Sequence, residues 1–436
     1  MTSLEEQAAN RPSAPATVPG PASTAAPAPV PVTVPAPARP LRSRAFALFF
    51  AARAASKLGE TMLPVALSAG LLQHGMGASE VGLAMASTIA TCAVFIVFGG
   101  VFSDRFNTLR LMVGSDAVRV LTQAVTAVLF LTGHVVLWQI CLIGAVNGIA
   151  TGLFQPGVAS TIPRVADDVQ AANGTIRIGE SLAMLAGPAV AGLLVAVADP
   201  AAVFAAHAAA YAISTGCLAL LRLPPTGEKE RGPRPATTYW SDLAEGWREF
   251  RSRTWLWGTI VIWMFFMVTA WGPIIPLTSV ELIGGHGART YGLISSALGL
   301  GTALGAVPAM RLRPARPLRA GALALLGTAC FPAAVGAQLP VSALLLASAL
   351  TGAGMGFWSV MWATSVQTRV PGPVLSRLHA YEVAGSVAML PVGQALAGPA
   401  AVLFGARTVL LAGGALTLVV VAALLCVPAI RGLKRV

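Results

Sequence analysis

The sequence predicts an all-α integral membrane protein of twelve transmembrane helices arranged as two pseudo-symmetric six-helix halves. Three observations carry this expectation. Apolar runs of roughly 20 residues, enough to cross a hydrocarbon core of about 30 Å as a helix, recur from Ala45 almost to the end of the chain. Only 11% of residues are charged while 56% are hydrophobic, against about 25% charged in a soluble domain. The basic residues fall in alternate connections between the runs, the pattern of a topology signal and not of a nucleic-acid face, despite a net charge of +12.

Residues 1–44 form a Pro/Ala-rich segment with ten prolines among the first 40 residues. It has no apolar face with which to offset ordering entropy, so a disordered tail is expected. Glu5 and Glu6, with no early apolar segment, argue against a secretory signal. The first six spans are expected at 46–73, 80–102, 109–133, 136–161, 175–197 and 200–221, within a half running from 45 to 222. The second six are expected at 255–281, 290–310, 318–338, 341–367, 378–401 and 406–429, within a half running from 255 to 430. Residues 223–254 join them, and 431–436 form a basic tail. In the linker, Trp240, Leu243, Trp247 and Phe250 recur at three- and four-residue steps among charged residues, which predicts an amphipathic helix lying on the membrane surface.

The even-numbered connections hold Arg105, Arg110, Arg164, Arg222, six basic residues of the linker, Arg311, Arg313, Arg316, Arg319, Arg369 and Arg377, whereas the odd ones hold only Arg289 and Arg407. The positive-inside bias then places both termini in the cytoplasm, for a multi-pass protein of the cell membrane. A shift of 205 residues superposes Ser160 on Ser365, Arg164 on Arg369, and Ser181, Ala183, Met184 and Leu185 on Ser386, Ala388, Met389 and Leu390. Repeated halves with a path between them are the architecture of many secondary carriers. The five cysteines show no ligand spacing and read as small buried hydrophobes.

The turn after the second span reads Gly100-x-x-x-Asp104-Arg105, with Asn107 and Arg110 following. With twelve spans and a long central loop, it resembles the signature loop of the major facilitator superfamily. Ser56-Lys-Leu-Gly-Glu60, Ser115-Asp-Ala-Val-Arg119, Phe154-Gln-Pro-Gly157 and Ala172-Asn173 resemble its bacterial drug, macrolide and siderophore exporter branch. Asn107 stands where that loop carries a second glycine, a position at which Asn tolerates a left-handed turn. The resemblance implies a conformational role for Asp104. A worn counterpart, Met310-Arg-Leu-Arg-Pro-Ala-Arg-Pro-Leu-Arg319, has lost its acidic residue.

A charge inside a membrane is a functional candidate by default. Glu60, before Pro64 and one turn after Lys57, is the first choice for a protonatable site shared with substrate, or else half of a static pair. Asp116 and Arg119, also at i, i+3, read with Gly100, Asp104, Arg105 and Arg110 as a cytoplasmic gate, or as a purely structural pair. Glu180 follows Arg177 and precedes Gly187-Pro188-Ala-Val-Ala-Gly192, which resembles the antiporter glycine–proline signature, though plain packing explains Gly192 equally. Glu382 lies close to Arg377. Asn147, Gln155, Gln367, Gln394, Trp271, Trp358 and Trp362 could face a cavity, while aromatic residues are also common at lipid interfaces.

The chain offers no nucleotide-binding glycine loop with lysine, no zinc spacing and no nucleophile–base set. Neither an enzyme nor a cofactor or metal is therefore expected. Proton-coupled efflux of a hydrophobic or amphiphilic small molecule (drug, antibiotic or siderophore) is the expected function, drawing on the proton gradient. The alternatives are a metabolite uptake carrier and a non-transporting membrane sensor or scaffold. The expected partners are a small-molecule substrate and the lipid bilayer, with no nucleic acid, and the protein is expected to be a monomer.

Overall fold

The computed structural model describes residues 43–105, 107–222, 251–369 and 388–435, with the side chains of 97–105, 156, 159, 170 and 367 outside the description. The tail, the amphipathic linker helix, and the Glu382 and Arg377 pair therefore lie outside the described residues. The first six helices are α1 (Arg44–Gln73), α2 (Ala78–Arg105), α3 (Thr108–Thr132), α4 (Leu137–Val165), α5 (Val169–Val197) and α6 (Pro200–Ala219). Local chemistry sets several of their starts. Ser43, Asp168 and Asp199 accept the first free backbone N–H groups of α1, α5 and α6, and Pro200 opens α6 where its missing N–H costs nothing.

Asn107 does not adopt the expected left-handed turn. Its backbone is extended (φ −61°, ψ 115°) and its side chain accepts from the N–H groups of Leu109 and Arg110. It caps α3, the other role that a short amide side chain performs well.

Beyond the linker, Thr254–Phe266, a π-helical turn at Met267–Trp271 and Gly272–Arg311 run on as one stretch of 58 residues. The helix breaks at Gly287 (φ 79°, ψ 163°), a conformation that favours glycine. We label the part before Gly287 α7 and the part after it α8. The expected loop between 281 and 290 is thus almost wholly helical. The π turn precedes Pro273, which has no N–H for the carbonyl of Thr269. The same defect tightens α9, which is Pro317–Ala324, a 3-10 turn at Leu325–Ala329 and Cys330–Gly336: Pro332 leaves the carbonyl of Thr328 without its helical donor. Next come α10 (Val341–Arg369), α11 (Leu390–Phe404) and α12 (Ala406–Cys426), then a single turn, α13 (Pro428–Arg431).

Among the described residues, nine helical runs are long and apolar enough to span a membrane, one of them being the whole of α7 and α8. Counting α7 and α8 separately and adding α1 and the described 15 residues of α11 makes twelve passages. Every regular element among the described residues is helical. The cysteines are all free, four are half-buried and Cys426 is exposed on the α12 surface, so they are not uniformly buried.

The repeat reappears in three dimensions. Both α4 and α10 contain 29 residues and start 204 positions apart, at Leu137 and Val341. Each packs through glycines against a partner helix. A Cβ on Gly148 of α4 would come 2.0 Å from Thr91 Oγ1 and 2.1 Å from the Thr88 carbonyl of α2, and one on Gly352 of α10 would come 2.0 Å from the Leu298 carbonyl of α8. Gly148→Leu is therefore expected to force α2 and α4 apart. Overpacking of this kind costs about 1–3 kcal/mol, and thermal unfolding of the purified protein should show a Tm lower by several degrees.

The halves meet closely on one side. Ser68 on α1 and Ser279 on α7 share a hydrogen bond of 2.9 Å. A Cβ on Gly292 would lie 2.3 Å from the Pro188 carbonyl and 3.1 Å from the Gly192 Cα, and one on Gly398 would meet Ser79. All these contacts sit near helix ends that lead into the odd-numbered, cation-poor connections. The halves are closed at that face.

Candidate functional site

On the basic-face side of the closure lies a cavity of about 320 Å3 bounded by both halves. Its N-terminal wall is Glu60, Thr61, Pro64 and Val65 of α1 with Met184 and Pro188 of α5. Its other wall brings Trp271, Ile274, Ile275 and Thr278 from α7, Tyr291 to Gly299 from α8, Phe331 from α9 and Ser348 from α10. Two prolines shape the first wall. Pro64 has no N–H for the carbonyl of Glu60, and Pro188 has none for that of Met184. The Met184 carbonyl faces Gly299, where a Cβ would lie 2.7 Å away. Thr61 ties the two helices, donating to the carbonyls of Leu58 and Ala183 at 2.9 Å each. Gly187 admits this contact, since a Cβ there would sit 2.0 Å from Thr61 Oγ1.

Among the described residues, Glu60 is the one carboxylate on this cavity wall. Its Oε1 accepts from Arg119 Nη2 at 2.7 Å and its Oε2 from Lys57 Nζ at 3.2 Å. Arg119 is buried and also donates to Asp116 Oδ1 at 3.1 Å, to Thr151 Oγ1 at 2.7 Å and to Ser56 Oγ at 3.4 Å. The Ser214 hydroxyl donates to Asp116 Oδ2 at 2.5 Å. The Arg119 guanidinium lies 4.4 Å from the centre of the Tyr211 ring and 5.6 Å from that of Phe154, where the ring faces supply further negative potential. A buried cation is tolerable only with its donors satisfied and its charge met. Here α1, α3, α4 and α6 each contribute to that requirement.

A second ion pair continues the first. Arg53, one turn before Lys57, pairs with Glu180 of α5, whose Oε2 also accepts from the exposed Arg177 at 3.1 Å. The Phe154 ring lies between the two networks, 5.7 Å from the Arg53 guanidinium. Neutralising Glu60 would leave Lys57 without this partner and Arg119 with Asp116 as its remaining carboxylate.

The Lys57–Glu60 and Asp116–Arg119 pairs expected from spacing thus occur in one connected system, in which Arg119 bridges Glu60 and Asp116. The expected grouping of Asp116 and Arg119 with the signature loop is not visible in the described residues. The backbones of Gly100, Asp104 and Arg105 lie in the last turns of α2, their side chains are outside the description, and Arg110 is exposed.

Of the expected cavity residues, Trp271 lines the wall. Gln155 is exposed. Asn147 is buried within its half, paired through Oδ1 with Thr122 Oγ1 at 3.1 Å. Gln394 is buried at the contact of α11 with α2, where its carbonyl faces Gly82. Trp358 and Trp362 belong to an aromatic column wedging α7 against α10: Trp263 stacks on Trp358 at 5.5 Å, and Trp358 on Trp362 at 6.0 Å. Their bulk is spent on helix packing, so these five residues do not line the cavity. Gly192 meets Ala288 and Gly292 of α8, which makes it part of the closure.

Sequence reasoning missed Arg53, Thr151 and the α6 stripe His207, Tyr211 and Ser214. These three occur at i, i+4 and i+7, a recurrence on one face of an otherwise apolar helix that could have drawn attention to them. His207 is 1% exposed, faces Gly59 so closely that a Cβ there would be 2.2 Å from the ring, and lies 4.5 Å from the Tyr211 ring at a tilt of 31°. Neither of its ring nitrogens has a hydrogen-bond partner among the described residues.

The family model of the Major Facilitator Superfamily matches residues 49–388, most of the chain. Macrolide efflux protein A of Streptococcus pyogenes is 22% identical over 247 residues, which cover 55% of this chain and 60% of that protein. The protein of the same name from Enterococcus faecalis is 22% identical over 201 residues, 44% of this chain and 61% of that one. The chain therefore spans about three-fifths of the length of these relatives. Among solved structures, the nucleoside transporter NupG superposes with a TM-score of 0.70 at 12% identity, covering 87% of this chain and 98% of that one. A D-xylose-proton symporter superposes with a TM-score of 0.63 at 15% identity, covering 90% and 100%. At these identities the structural likenesses speak to the fold. Together with the span of the family match, they identify the chain as a multi-pass membrane transporter that belongs to the Major Facilitator Superfamily.

Proposed function

We propose that this transporter exports a hydrophobic or amphiphilic small molecule, such as an antibiotic, another drug or a siderophore, in exchange for protons by alternating access. The observation that carries the reading is one acidic side chain among the described lining residues, Glu60, on an otherwise mostly apolar and aromatic wall where the two halves meet. Such a wall gains affinity from apolar burial, and one charged group orients the ligand. Ionised Glu60 attracts a cationic or proton-rich head group. Protonation from the outer side removes that attraction and loosens the tie between α1 and α3, so the proton and the substrate act in opposite senses on one residue. The partial likeness to macrolide efflux proteins supports the outward direction. The basic connections support a cell-membrane orientation with both termini in the cytoplasm. We assign no catalytic step, cofactor or metal, and take the working unit to be a monomer in the bilayer.

The test is accumulation of ethidium and of a macrolide in a host lacking its own exporters, with and without a protonophore. Wild type should lower accumulation only while the proton gradient stands. Trp271→Ala, which removes the widest apolar surface of the wall, should raise the half-saturating concentration several-fold while leaving the protonophore sensitivity intact. If neither these probes nor a chemically broad panel is affected at verified expression, the export reading fails.

A further inference from the structure

The C-terminal half carries a second pocket, on the basic face and remote from Glu60. It measures about 360 Å3 and lies between the end of α8, the α8–α9 connection, the end of α10 and the last residues of the chain. Arg313, Arg369, Lys434 and Arg435 line it, with Met310 and Leu312 along one side. The connection is the worn counterpart of the signature loop, the copy that has lost its acidic residue.

This crevice is assembled by specific backbone contacts. The Arg435 N–H donates to the Ala315 carbonyl at 2.9 Å. Arg369 donates to the Lys434 carbonyl, and Arg253 donates in turn to the Arg369 carbonyl. Buried Ile430 and Leu433 hold the tail against the helices. The chain end is thereby strapped across the connection, and two more cations join those already there. No ion pair among the described residues reaches any of the four.

Four like charges around one crevice repel each other, and an anion seated among them relieves the repulsion. Met310 and Leu312 are 65% and 57% exposed, so the crevice has an apolar rim on one side. A free anion gains nothing from that rim, whereas the acyl chains of a lipid cover it. We propose that the crevice is a binding site for the phosphate of an anionic glycerophospholipid head group, with Arg313 and Arg435 as its main phosphate contacts and Met310 and Leu312 under the acyl chains. Basic pockets between helices at a membrane surface are suited to such head groups. The inference is independent of the export reading, since it involves neither the cavity nor Glu60.

Native mass spectrometry of the purified full-length chain tests the site, using phosphatidylglycerol and phosphatidylcholine with the same acyl chains. Wild type should retain phosphatidylglycerol in preference. Arg313→Gln/Arg435→Gln should weaken that retention about thirtyfold, from roughly fivefold per cation at an anionic surface. Arg316→Gln/Arg319→Gln, with the same charge change on the same connection but outside the crevice, should leave it nearly unchanged. If the first double variant does not accumulate, Lys434→Gln/Arg435→Gln, confined to the tail, carries the same comparison. Equal retention of the two lipids, or equal losses in the crevice and control variants, would overturn the proposal. Displacement of the lipid by inorganic phosphate at comparable concentration would show a free-anion site instead and overturn it as well.

Discussion

Glu60→Gln is expected to abolish gradient-driven transport while leaving a folded protein in the membrane. Glutamine keeps the shape and can still accept a hydrogen bond, but it can neither ionise nor take up a proton. Half of the exchange cycle then has no counterpart. The structural cost is bounded: Arg119 keeps Asp116, Thr151 and Ser56, and a charged hydrogen bond lost at a half-buried position costs about 1.5–3 kcal/mol. Efflux of a fluorescent probe at matched membrane abundance should fall to the level of vesicles without the transporter. Glu60→Asp tests the same point from the other side. It retains the charge on a shorter arm, so residual proton-dependent efflux is the expected outcome.

The second large effect is expected at Arg119. It is 1% exposed, and it neutralises Asp116, which is fully buried, as well as Glu60. Arg119→Leu leaves Asp116 with the Ser214 hydroxyl alone. An uncompensated buried charge costs about 3–5 kcal/mol, a large share of the 5–15 kcal/mol that typically separates folded from unfolded states. The variant should reach the membrane in much reduced amount and unfold at lower temperature. Asp116→Leu/Arg119→Leu removes both charges and should recover much of the thermal stability without recovering transport. Arg119→Lys should stay inactive as well. A single ammonium cannot reproduce bonds from two guanidinium nitrogens to four partners. Thermal unfolding of the three purified variants separates the effects. A single Leu variant as stable as wild type would contradict the structural role given to Arg119.

Much of the fold was legible in the sequence because a transmembrane passage declares itself by length and apolarity, and no partner surface need be known. Boundaries were harder. The α7–α8 connection reads Gly284-Gly285-His286-Gly287, a run of poor helix formers that the sequence presents as a break, yet the helix continues to Gly287, and the defects before Pro273 and Pro332 show only as backbone geometry. Asn107 offered two roles, a left-handed turn or a cap, and only the backbone distinguished them. At the site, Lys57–Glu60 and Asp116–Arg119 could be read as neighbours because i, i+3 spacing on a helix brings side chains together. That Arg119 also reaches Glu60 could not, since nothing in either sequence segment says which face of α1 meets which face of α3. Glu180 pairs across to Arg53 for the same reason. The tryptophans show the limit from the other direction. Trp271, Trp358 and Trp362 look equivalent in sequence, yet one lines the cavity and two wedge helices apart.

Proton exchange through Glu60 is tested in everted membrane vesicles acidified inside and loaded with a pH-sensitive dye. Under exchange, adding ethidium or a macrolide outside should draw protons out of wild-type vesicles and raise the internal pH as the compound enters. Vesicles carrying Glu60→Gln at equal abundance should hold their gradient. Compound uptake by wild type with no proton movement, or an equal discharge by Glu60→Gln, would rule out proton exchange through Glu60.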